Sequence, residues 1–212
     1  MINACTILFC LTLIYLAVTT RLSAYVLILV LQGILVAGVH TLAFFNDFAW
    51  SHVVVAAGVL LVRTFLIPSY IVKIMRDLDM RRGDSTRRYH PGFLIQMAAV
   101  VVGAFVLSNY LSGLTPVPVN VIPLGAAIAG MAAGGLLIMR RRLLLAHVVG
   151  FLIIENGLFL LAIGVEAEMS WMIEMAGFLD LFVLVFLMGI AMNHLKTHFP
   201  EGESDDLTGL RE

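Results

Sequence analysis

Apolar residues run along this chain in long blocks, and polar residues gather in short gaps between them. Each block is long enough to cross the roughly 30 Å hydrocarbon core of a bilayer as a helix of about 20 residues. About seven such spans can be read, at residues 3–20, 24–45, 52–75, 91–111, 117–139, 143–164 and 169–195. A strand in lipid alternates between two faces, and these blocks do not alternate, so a barrel is excluded and a helical bundle remains. The expected fold class is all-α, a polytopic membrane protein. Only residues 76–90, RDLDMRRGDSTRRYH, form a sizeable hydrophilic connection.

Composition sharpens the class. The chain is 61% apolar, against about 45–50% in a soluble domain, and too little lies between the spans to build a soluble catalytic core. A net charge of −1 says little; the placement of the charges says more. Arg21, Lys73, Arg76, Arg81, Arg82, Arg87, Arg88, Arg140, Arg141, Arg142, Lys196 and Arg211 all fall on one side of a seven-span arrangement. The opposite connections, FFNDFAWS, YLSGLTPVP and GVEAEMS, contain no Lys or Arg. The positive-inside rule then puts the N-terminus outside and the C-terminus in the cytoplasm of a cell (inner) membrane protein. The surroundings expected are membrane lipids and other membrane subunits, with no nucleic acid. Met-Ile-Asn-Ala has no basic region ahead of the first apolar block, which favours a retained span over a cleaved signal peptide.

Against this background the ionisable residues at membrane depth stand out. Glu155 lies in LLLAHVVGFLIIENGLFLLAIG, and Asp180 and Glu174 lie in the last apolar block. An Asp at the bilayer centre costs roughly 2.5–3.5 kcal/mol, while Leu, Ile, Phe and Val return only about 0.3–0.6 kcal/mol each. Such acids need protein or water around them, and a carboxylate can bind and release protons or other cations. Arg63 sits near the middle of the third block, ahead of Pro68, where a freed carbonyl and a kink are expected. Counted from the basic flanks, Arg63, Glu155 and Asp180 are each roughly 18–21 Å deep, in one shared layer. His147 precedes Glu155 by two turns and about 80° of rotation, so both can border one channel or His147 can serve as a local interfacial group. The candidate ion-path residues are thus Glu155, Asp180, Arg63, Glu174 and His147.

Other features have plainer readings. GAAIAGMAAGG in the fifth block is a close helix-packing face, since it follows no strand and lies in lipid. Cys5 and Cys10 form no CxxC pair and have no further ligands nearby, so they read as small packing residues. His40 and His52 could face each other across a haem, but His40 and His147 lie at opposite faces of the membrane. No metal or cofactor is expected in this chain, and no catalytic residue. Glu166 and Glu168 belong to an outer loop, His194 and His198 to the exit of the last span, and FPEGESDDLTGLRE to a short cytoplasmic tail.

The segment GFLIIENGLFLLAIG, the acidic MIEMAGFLDLFVLV block and the ending DDLTGLRE together resemble the HyfE family. Its members are the component E subunits of membrane-bound group 4 nickel–iron hydrogenases and formate hydrogenlyases. LLVRTFLIPSYI is similar to that family's third span, with a basic residue several positions before a proline. The last three spans, led in by MRRR, are further similar to the NuoK-like subunit of respiratory complex I. There the sequence departs from the pattern: with Gly150 and Asn156 aligned, the family's Glu position is Leu152, and the acid stands at Glu155, about one turn on. The resemblance implies an N-terminal membrane part at 1–112, a NuoK-like ion-translocation part at 113–198 and a tail at 199–212. It also implies an accessory role beside antiporter-like and quinone-site-like membrane subunits. Hydrophilic hydrogenase partners would hold the nickel–iron centre and the iron–sulfur clusters, and this chain would contribute to a proton or Na⁺ path. The alternative reading is a subunit of a cation/proton antiporter or inorganic-carbon uptake assembly built from related modules.

Overall fold

The computed structural model describes residues 1–19, 21–43, 91–114, 119–141 and 144–165, with scattered positions between 61 and 72 and Gly189. Five helices account for nearly all of them: α1 (Ile2–Val18), α2 (Leu22–Ala43), α3 (Pro91–Leu114), α4 (Val121–Arg140) and α5 (Leu144–Gly164). No strand occurs among the described residues. By its internal contacts the chain divides into two units, Met1–Glu168 and Met169–Glu212, and all five helices belong to the first.

These helices coincide with the first, second, fourth, fifth and sixth apolar blocks. Their ends follow local chemistry. Thr19 turns to an extended backbone and closes α1; Asn120 is extended and opens α4. The fifth block was expected to start at residue 117; the helix itself opens at Val121, after Asn120. Pro123 is tolerated because it lies in the first turn of α4, where its missing N–H has no partner to lose. At the other end of α4, Arg140 in the last turn complements the helix dipole.

Among the described residues, four helical segments are long and apolar enough to cross a membrane: Ser23–Ala43, Pro91–Leu114, Val121–Arg140 and Ala146–Gly164. The 17 residues of α1 reach about 25 Å, slightly short of a bilayer core. The molecule is an all-helical protein of membrane-spanning character. The third and seventh blocks lie largely or wholly outside the described residues.

Helix α1 packs antiparallel to α2, α3 to α4, and α4 to α5. Between α3 and α4, Phe105 meets Gly125, the Ser108 hydroxyl donates to the Val121 carbonyl at 2.7 Å, and the Arg141 guanidinium lies 5.3 Å from the centre of the Phe93 ring. That cation–π contact places a charge where α3 begins and α4 ends, the end of the pair opposite its own connection. Among the described helices, the α4–α5 contact is the tightest. A Cβ on Gly164 would come 2.7 Å from the Leu124 nitrogen, and one on Gly157 would come 2.9 Å from the Ala127 carbonyl oxygen. One on Gly150 would come 2.7 Å from the Gly134 carbonyl oxygen. Gly150, Gly157 and Gly164 recur every seven residues along one face, and Gly130 and Gly134 stand four apart on the other. Without side chains there, backbones can approach to contact distance, which is how helices associate where lipid removes the hydrophobic drive. The packing face expected from GAAIAGMAAGG is present. Phe9 of α1 covers Gly130 from a second side, so α1 and α2 join the same core.

Candidate functional site: a buried polar chain at Glu155

Glu155 stands near the middle of α5, a helix of 21 residues, and is only 6% exposed. One residue is about 100° of rotation, so Glu155 lies about 200° from Gly157, on the side turned away from α4. It is flanked there by Val148, Leu152 and Phe159, all buried. The outward stripe of the helix is marked by Leu158, 47% exposed. The carboxylate is therefore enclosed and does not face acyl chains, as a carboxylate kept at this depth requires.

Beside it, Asn156 is 4% exposed and begins a chain of hydrogen bonds across three helices. Its Nδ2 donates to Gln32 Oε1 at 3.2 Å. Gln32, fully buried half-way along α2, donates from Nε2 to Thr12 Oγ1 at 2.9 Å. Thr12 in turn donates to the Phe9 carbonyl on its own helix at 2.6 Å. In an apolar interior such a chain must be satisfied from end to end, because an unpaired amide costs about 1–3 kcal/mol. Sequence reading missed Gln32 and Thr12. The available signal was that Gln32 is the sole amide in LSAYVLILVLQGILVAGVHTLA, a residue that lipid would not tolerate without a partner.

No family model matches the chain, and no solved structure matches it. The chain is similar to the uncharacterized protein Rv0085 of Mycobacterium tuberculosis, with 25% identity over 194 residues that cover 90% of this chain and 87% of that one. The shared length extends through nearly all the spans, so the likeness is not confined to one apolar segment.

Of the expected ion-path residues, Glu155 is enclosed and His147 is half-buried two turns before it on α5. Arg63, Glu174 and Asp180 lie outside the described residues, as do His52, Glu166, Glu168, His194 and His198. Leu152, where the NuoK-like pattern has its acid, is buried on the same side of α5 as Glu155. Cys10 is buried and Cys5 half-buried, both as free thiols. His40 is buried in α2. Among the described residues no cluster of three or more His, Cys, Asp or Glu could hold a metal ion. The Tyr25 hydroxyl, in the fully buried part of α2, has no hydrogen-bond partner among the described residues.

Proposed function

We propose that this protein is a non-redox membrane subunit of a group 4 hydrogenase or formate hydrogenlyase-type complex. In this reading Glu155 belongs to a proton or Na⁺ path coupled to electron transfer in partner subunits. The observation that carries the reading is the enclosed carboxylate at mid-helix in α5, bordered by the Asn156–Gln32–Thr12 chain. A carboxylate in that position can take up and release a cation, and the polar chain beside it keeps α5 from closing as an all-apolar contact. Asp180, Glu174, His147 and Arg63 are the further candidates for the path that the sequence offers, Arg63 either pairing with a buried acid or lining a hydrated route. The resemblance of GFLIIENGLFLLAIG and DDLTGLRE to the HyfE family supports the choice of complex.

In this role the chain makes seven crossings, with its N-terminus outside and its C-terminus in the cytoplasm. It binds no redox group itself; the nickel–iron centre and iron–sulfur clusters belong to hydrophilic partners. Purification of the intact membrane assembly followed by metal analysis tests the reading. Nickel and iron are expected to co-purify with this chain. Recovery with antiporter-like subunits and no nickel would contradict the hydrogenase assignment and move the chain to a cation/proton antiporter or inorganic-carbon uptake assembly.

A further inference from the structure

The hydrogen-bond chain has a direction, and Thr12 sets it. A threonine hydroxyl carries one hydrogen and two lone pairs. At 2.6 Å from the Phe9 carbonyl, which can only accept, that single hydrogen is committed. Thr12 Oγ1 can then offer Gln32 only a lone pair, so Gln32 must turn its NH₂ group towards Thr12. Its Oε1 is left for α5, and it accepts from Asn156 Nδ2. Each amide is thereby oriented by the one before it, and the Asn156 oxygen is held on the side of the carboxamide away from α2. Rotating the Gln32 amide by 180° would set acceptor against acceptor at Thr12 and donor against donor at Asn156, and rotating Asn156 would set acceptor against acceptor at Gln32.

We propose that Thr12 and Gln32 are positioning residues for the Glu155 site, fixing from two helices away which way round the Asn156 carboxamide is presented beside the carboxylate. The proposal rests on the reading of Glu155 as an ion-carrying group. Neither residue need touch the ion. Thr12 lies on α1 and Glu155 on α5, and the hydrogen bonds that lead from one helix to the other pass through the two amides.

Two measurements on the intact complex test this. In vesicles, ion transport coupled to turnover is followed against pH for the wild type, Thr12→Val and Thr12→Ser. Valine keeps the shape and removes the hydroxyl; serine keeps the hydroxyl. Thr12→Val is expected to displace the pH profile and lower the rate roughly three- to tenfold, the reach of one buried hydrogen bond. Thr12→Ser is expected to overlay the wild type. In parallel, the side-chain amide resonance of Asn156 in ¹⁵N-asparagine-labelled complex, assigned by its loss in Asn156→Asp, is expected to move in Thr12→Val and stay in Thr12→Ser. Gln32→Met cuts the same chain in the middle and must move both readouts likewise, which covers the case in which Thr12→Val does not assemble. An Asn156 resonance that stays in place in whichever of these variants assembles overturns the proposal, as does Thr12→Ser behaving like Thr12→Val. If the resonance moves but Glu155→Gln transports normally, the ion-path reading fails and the orientation of Asn156 stands.

Discussion

Helix α5 meets its neighbours in two opposite ways. Towards α4 it presents Gly150, Gly157 and Gly164, and the contact is backbone on backbone with no room for a methyl group. Towards α2 it presents Asn156, and the contact is a hydrogen bond that continues into α1. The first face gains dispersion contacts over a whole helix length and has no polar atom that must be matched. The second gains little net stability, since interhelical hydrogen bonds in membranes are worth about 1–2 kcal/mol at most in peptide systems and about 0.6 kcal/mol on average in a protein. What it supplies is orientation. The carboxylate lies opposite the seam, about 100° round the helix from Asn156. A close glycine seam and a directional amide chain thus hold α5, the helix that carries Glu155, on two of its faces, one fixing distance and the other fixing orientation.

Substitution at the seam should break that comparison first. Gly134→Val sets a branched side chain against the Gly150 carbonyl oxygen and Ile154. A loss of about 3 kcal/mol or more is expected, read as failure to recover the protein in detergent or a large fall in its thermal midpoint. Gly150→Ala, with its new methyl 2.7 Å from the Gly134 oxygen, should cost about 1–3 kcal/mol. Both effects should be visible as lowered thermal stability even where ion transport is not assayed. Next comes the amide chain: Gln32→Leu strands Thr12 and Asn156 together and should cost about 1–2 kcal/mol. Its mark is that adding Thr12→Val to it costs almost nothing more, whereas independent sites would add. Smallest is Gly103→Ala on α3, where a new Cβ meets nothing within 4 Å. It should leave stability unchanged or raise it by up to about 1 kcal/mol, the helix propensity gained over glycine. A large loss there would mean that α3 has a close neighbour on that side in the assembly.

Different parts of this architecture were legible to different degrees. Helices α1 to α5 follow from apolar blocks because lipid leaves a chain no other way to satisfy its backbone. The glycine seam was legible because small residues at fixed spacing have little other use in a membrane helix. The enclosure of Glu155 followed from the cost of the alternative. Helix ends were less clear: the apolar pattern set the start of the fifth block at residue 117, while α4 opens at Val121 and takes Pro123 into its first turn. The pairing of Gln32 with Asn156 was not legible. Each is one polar residue in an apolar helix, with no periodicity to relate it to a residue 124 positions away. A lone amide announces that it needs a partner and gives no sign of which.

The central claim is that Glu155 is a working carboxylate within the bundle. Glu155→Gln keeps the size and hydrogen-bonding capacity of the side chain and removes its charge. In sealed vesicles holding the whole complex, the variant is expected to assemble, to keep its partner subunits and to lose ion transport by at least about tenfold. Full assembly with transport equal to the wild type would contradict the claim and reduce Glu155 to a packing element.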